Sequence, residues 1–122
     1  MSITADLIRG HTDTIILAAL LKGDSYGYRI NRTLCDLTAG RYELKEATLY
    51  TAFKRLEEAG YIRSYWGDEA TGARRRYYAI TPAGRMAYGR MMQEWQEASE
   101  LIEKLIRFKS GDDGEDPAAQ PL

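Results

Sequence analysis

The chain has 122 residues, 44% hydrophobic and 29% charged, with a net charge of −1, which is enough for one small ordered domain with an arm or tail. A single cysteine, Cys35, and a single histidine, His11, exclude an internal disulfide and leave no basis for a Cys/His metal cluster or a thiol–imidazole pair, so no metal or cofactor is expected. No apolar run is long enough to span a bilayer and the start lacks a signal-peptide pattern; with the lone thiol this predicts a cytoplasmic protein.

In chain order, residues 4–22 place Leu7, Ile8, Ile15, Ile16, Ala19 and Leu20 at helical spacing, predicting a first helix that stops near Gly23. Asp24 or Ser25 can cap a second helix with Tyr26, Ile30, Leu34 and Leu37 on one stripe. Thr38-Ala39-Gly40 ends it, and a short strand around Tyr42–Leu44 is expected in the connection to a third helix, Glu46 to Ala59, stopped by Gly60.

The third helix puts Leu49, Ala52, Phe53 and Leu56 on one face. At about 100° per residue the opposite face centres on Ala47, Thr51, Lys54 and Glu58, flanked by Thr48, Tyr50 and Arg55. Such a face is either simply solvated or suited to a nucleic-acid groove. A hairpin follows: Tyr61 to Trp66, a turn over Gly67 to Ala73 with Gly72 near its tip, and Arg74 to Ile80. Trp66 is read as hairpin packing. Arg74, Arg75 and Arg76 either keep an edge strand soluble or grip phosphates. Their place directly behind a groove-type helix favours phosphates, and Lys45 joins them.

Thr81 and Pro82 start the last helix, which runs to about Phe108. Tyr88, Met91, Trp95, Ala98, Ile102 and Leu105 recur at heptad spacing, so this helix is expected to dimerise with a second copy of the chain. Glu94, Glu97, Glu100 and Glu103 read as a solvated face. Residues 109–122 read as a disordered acidic tail. Charge follows the same division. Residues 1–87 hold thirteen Lys/Arg and ten Asp/Glu, a net of +3, whereas residues 88–122 hold four and eight, a net of −4. The basic part carries the third helix and hairpin, and local field matters more than the total. The fold class expected is mainly α with a small β-hairpin: a winged helix-turn-helix over residues 4–82, then a dimerisation helix over 83–108.

Residues Glu46 to Glu57, EATLYTAFKRLE, resemble the PadR family of winged-helix transcriptional repressors. The match continues through Gly60-Tyr61-Ile62, Tyr65 to Glu69, Gly72, Arg74 to Tyr78, Thr81 with Gly84, and Gly23 to Tyr28, spanning about residues 7–107. The resemblance implies a homodimeric repressor on a pseudo-palindromic double-stranded operator. Its DNA-binding residues would be Thr48, Tyr50, Thr51, Lys54 and Arg55 on the third helix, with Lys45, Arg74, Arg75 and Arg76 on phosphates. Tyr26 either reaches a phosphate or is a capping or core tyrosine.

Within the family the chain is most similar to short, drug-sensing members with one C-terminal helix. In these, that helix packs on the partner's first helix, and facing tryptophans sandwich planar aromatic molecules in a central channel. Trp95 matches that tryptophan; read from periodicity alone, it is a dimer-packing residue. The other pocket positions implied are Leu7, Ile8, Gly10, Asp13, Thr14 and Leu17, with Met91, Met92, Ser99 and Ile102. Ser99 stands where those members have an acid, Asp13 where they have a neutral amide, and Met91 and Met92 replace a smaller residue and an aromatic one. Methionines adapt to many shapes. Phenolic acids are the other ligand class the family implies, and a membrane efflux transporter is the implied regulated gene. The rival reading is a dimeric small-molecule-binding or interaction module without DNA binding, which the slightly acidic total charge favours. No motif supplies an enzyme's nucleophile, metal cluster or phosphate loop.

Overall fold

The computed structural model describes residues 3–68 and 74–108. The expected acidic tail and the tip of the hairpin, Gly72 included, lie outside those residues. The elements are α1 (Ile3–Arg9), α2 (Thr12–Leu21), α3 (Gly27–Leu37), α4 (Glu46–Glu58), β1 (Ile62–Asp68), β2 (Arg74–Ile80) and α5 (Pro82–Arg107). Residues up to Gly89 form one compact unit, and the described residues from Arg90 onward form a second.

The single first helix expected over residues 4–22 is two helices. A turn at Gly10-His11 separates α1 from α2, and the Thr12 hydroxyl donates to the Arg9 carbonyl at 2.8 Å across it. Glycine after Arg9 lowers the cost of leaving the helix. The periodic apolar pattern survives such a break, so periodicity alone did not reveal it.

The second expected helix also starts later than its apolar stripe. Tyr26 is the N-cap of α3, and no side chain caps that end. Asp24 and Ser25 are used elsewhere: the Tyr65 hydroxyl donates to the Asp24 carboxylate at 2.5 Å, and the Ser25 hydroxyl accepts from Arg29 Nε at 3.2 Å. Ile30 and Leu34 are buried as expected, but Leu37 is exposed.

The strand expected at Tyr42–Leu44 is absent. The Asn31 side chain takes the place of a strand partner, donating to the Leu44 carbonyl and accepting from the Leu44 N–H, both at 2.7 Å. The third hydrogen-bonded partner of the hairpin is instead Ser25. Its N–H donates to the Tyr78 carbonyl at 3.1 Å, and the Tyr78 N–H returns a bond to the Ser25 carbonyl at 2.7 Å.

The core of the first unit is Ile16, Leu17 and Leu20 from α2, Ile30 and Leu34 from α3, and Leu49, Ala52, Phe53 and Leu56 from α4, closed by Ile62 and Tyr78. These α4 residues are the four that the sequence placed on its inner face. The Phe53 ring stacks on Tyr78 with centroids 3.9 Å apart, fixing the hairpin against α4. Gly60, with φ +82°, ends α4. The Gly60 N–H donates to Glu57 and the Tyr61 N–H to Leu56, each at 3.0 Å, the two bonds of a Schellman stop.

The hairpin is antiparallel, with Ile62 opposite Ile80, Tyr65 opposite Tyr77 and Trp66 opposite Arg76. Thr81 caps α5 as expected: its hydroxyl accepts from the Gly84 N–H at 3.0 Å and donates to the Gly60 carbonyl at 2.7 Å. In the second unit α5 leaves Trp95, Leu101, Ile102, Leu105 and Ile106 exposed, and the Arg107 guanidinium pairs with Glu103 one turn back.

Candidate nucleic-acid interface

Burying Leu49, Ala52, Phe53 and Leu56 turns the other side of α4 to solvent. Ala47, Thr48, Thr51, Lys54, Arg55 and Glu58 are exposed there, with Tyr50 beside them. Lys45, also exposed, is the N-cap residue, and its carbonyl accepts the first helical bond from Leu49 at 2.9 Å. Tyr50 is anchored on the inside by an edge-on contact with Phe53, centroids 5.6 Å apart.

Two depressions flank α4. One, of about 420 Å³, lies toward the hairpin and is lined by Tyr50, Phe53, Lys54, Glu57, Glu58, Arg76 and Tyr78. The other, of about 390 Å³, lies toward the α1–α2 turn and is lined by Arg9, Thr12, Ala47, Thr48, Thr51 and Arg55. Arg9 is thus a cation at this face that the sequence did not suggest. Arg9 ends α1, next to the turn into α2.

Alternation along β2 sends the three arginines to both faces of the hairpin. Arg75 lies over the Tyr26 ring at 4.5 Å from its centroid, and its Nη1 donates to the Tyr26 hydroxyl at 2.7 Å. Arg29 approaches the same ring at 4.8 Å. Tyr26 in turn packs edge-on against Tyr77, which stacks on Tyr65. Gly67 makes room for this layer, because a Cβ there would fall 2.5 Å from the Tyr77 ring.

On the other face Arg74 and Arg76 lie over the Trp66 indole, 5.1 and 5.4 Å from its ring centre. Trp66 is therefore packed by arginines, with 52% of its surface still open. Arg76 Nη2 also donates to the Ser64 hydroxyl, which donates to the Glu57 carboxylate on α4, both at 2.8 Å. That chain of bonds ties the wing to the helix beside it. The Asp24 hydrogen bond pushes the Tyr65 hydroxyl above its ordinary pKa, and burial does the same for Tyr78.

The structure thus brings the DNA-candidate residues together on α4 and β2, with Tyr26 between α3 and the hairpin as a partner of Arg75. Arg55 is the qualified member. Its guanidinium forms a two-pronged ion pair with Asp13 on α2, one arm at 3.2 Å, and this pairing raises the Arg55 pKa.

The residues matched to a ligand pocket lie on elements of both units. Leu7 and Ile8 lie on α1, Gly10 in the turn, and Asp13, Thr14 and Leu17 on α2. Leu7 is exposed, whereas Leu17 has no exposed surface and belongs to the core. Met91, Met92, Trp95, Ser99 and Ile102 lie on α5, where Trp95 is 45% exposed. The heptad residues Ala98 and Leu105 are exposed on the same helix, and Tyr88 is half-buried. Among the described residues no group of acidic, histidine or cysteine side chains could hold a metal, and no helix is long and apolar enough to cross a membrane.

A helix packed by its inner face, followed by an arginine-bearing hairpin, defines a winged helix-turn-helix regulator. The Transcriptional regulator PadR-like family model matches residues 16–90, and the chain belongs to that family. Among solved structures it is similar to a transcriptional regulator from Clostridium thermocellum, at 48% identity and TM-score 0.78, covering 87% of this chain and all of that one. It is also similar to a PadR family transcription regulator from Clostridium difficile, at 32% identity and TM-score 0.67, covering 79% and 98%. An uncharacterized protein of Lysinibacillus sphaericus is 42% identical over 104 residues, 85% of this chain and 95% of that protein. The chain is a DNA-binding transcriptional regulator and not an enzyme.

Proposed function

We propose that the chain acts as a homodimeric repressor whose hold on a pseudo-palindromic operator is adjusted by a planar aromatic ligand. The observation that carries the DNA part is the joint placement of the exposed α4 face and the arginines of β2, locked together through Glu57, Ser64 and Arg76. Thr48, Tyr50, Thr51 and Lys54 enter a major groove, while Lys45 and Arg75 hold phosphates. Two copies place two α4 helices in successive major grooves roughly 34 Å apart. The exposed apolar stripe of α5, with Trp95, Ile102 and Leu105, supports dimerisation.

The ligand reading rests on the resemblance to the multidrug-sensing repressor LmrR, with Trp95 as the stacking residue. Two indoles facing each other attract a flat cation by stacking and cation–π contact, worth roughly 0.5–2 kcal/mol per good contact. Such a ligand releases DNA only if it binds a dimer arrangement that the operator does not accept.

Hydroxyl-radical footprinting of the full chain on the DNA upstream of its own gene tests the DNA part. Two protected half-sites one helical turn apart are expected, and a single protected segment would contradict the dimeric arrangement. Fluorescence titration with a planar aromatic cation tests the ligand part. Saturable quenching near one ligand per dimer should vanish in Trp95→Ala, and quenching that survives there would return Trp95 to dimer packing.

A further inference from the structure

The outer face of α4 is poor in side chains that read bases in pairs of hydrogen bonds. It presents Thr48, Thr51 and Lys54 but no Asn or Gln, and its one guanidinium fork, Arg55, is held by Asp13. The wing has the opposite character. Arg74 and Arg76 lie two residues apart on one face of β2, and both rest on the same indole. An arginine held on an aromatic plane gives up less conformational freedom when it meets DNA than a free one does. Arg76 is further fixed through Ser64 to Glu57, so the pair keeps its orientation relative to α4. Trp66 itself remains 52% exposed, which core packing alone does not explain.

We propose that Trp66 is a positioning residue of the DNA interface: it holds Arg74 and Arg76 as a prealigned pair that enters a narrow minor groove beside each half-site. Narrow grooves are a property of A·T-rich tracts, where the negative potential that attracts arginine is strongest. Operator choice in this chain then rests largely on the shape of the flanks rather than on base contacts from α4. The inference depends on the DNA-binding reading above.

The test uses the full chain and a duplex that it selects from a random-sequence pool. Flanking A·T pairs that Arg74→Ala leaves unprotected in a footprint are replaced by G·C or by inosine·C. Inosine·C keeps the minor-groove face of A·T but presents the major-groove face of G·C. The expected result is an affinity loss on the order of tenfold with G·C flanks and near-full retention with inosine·C. In Trp66→Ala the flank preference should collapse to about one, with melting temperature reported alongside, and Trp66→Phe should restore much of it. Arg74→Gln leaves the indole in place and should lose the same preference, which covers the case of a misfolded Trp66→Ala.

Equal losses with inosine·C and G·C would overturn the inference, because the flank would then be read in the major groove. An unchanged flank preference in both Trp66→Ala and Arg74→Gln would also overturn it, leaving the DNA-binding reading intact. Failure of the wild-type chain to select any duplex would bring down both.

Discussion

Single side chains show where this fold tolerates least. Phe53 is buried and stacked on Tyr78, so Phe53→Ala should cost about 3–5 kcal/mol of stability, measured by urea denaturation. A loss under 1 kcal/mol would mean the ring is not central to the core. Gly84 is the second such position: a Cβ there would fall 2.1 Å from the Tyr61 carbonyl oxygen. Gly84→Ala should therefore lower the melting temperature, at a cost of about 1–3 kcal/mol.

Tyr78 makes a pH-dependent prediction. Burial raises its folded pKa above the ordinary 10.0, so the folded state holds the proton more tightly than the unfolded state does. The associated stability is present below pH 10 and is lost as pH rises through the folded pKa. Denaturation midpoints should fall above pH 10 in the wild type and less steeply in Tyr78→Phe. Legibility at this scale was mixed. The Thr81 cap is a local signal and could be read directly, whereas the arginine packing of Trp66 depends on strand register across a turn that sequence does not set.

At the scale of elements, α4, the hairpin and the start of α5 were legible because each carries its own punctuation: a 3.6-residue apolar period, Gly60, strand-rich Tyr and Ile, and Thr81-Pro82. The structure departs from the sequence pattern where side chains act at a distance. Asn31 replaces a strand partner for Leu44, thirteen residues away, so the expected strand never forms. Asn31→Ala should leave the buried residue's two backbone groups without that partner and cost about 1–3 kcal/mol. Asn31→Asp, which keeps only the acceptor, should recover part of the loss.

The Asp13–Arg55 pair joins α2 to α4 with its side chains 31% and 52% exposed. At such exposure a double-mutant cycle should give under about 1 kcal/mol of coupling. On the proposed DNA interface the pair occupies the Arg55 guanidinium, so Asp13→Asn should release it to a phosphate and steepen the salt dependence of DNA binding. An unchanged slope would mean that Arg55 is not a latent contact.

For the whole molecule, the overall charge of −1 conceals a basic first unit, the one that carries the proposed DNA face. The exposed stripe of α5 predicts a dimer. Light scattering should report twice the chain mass for the wild type and a monomer for Ile102→Glu with Leu105→Glu, with operator affinity lowered in parallel. On the proposed function, α4 and the wing form one DNA-binding face. The measurement that tests it most directly is operator affinity as a function of salt for Lys45→Ala at the start of α4, Arg75→Ala and, as a control on α5, Lys104→Ala. Removing one cation from a phosphate should make the logarithmic slope shallower by about 0.9. Lys45→Ala and Arg75→Ala should each show that change on every duplex, and Lys104→Ala should not. Wild-type slopes in both of the first two variants would contradict the assignment.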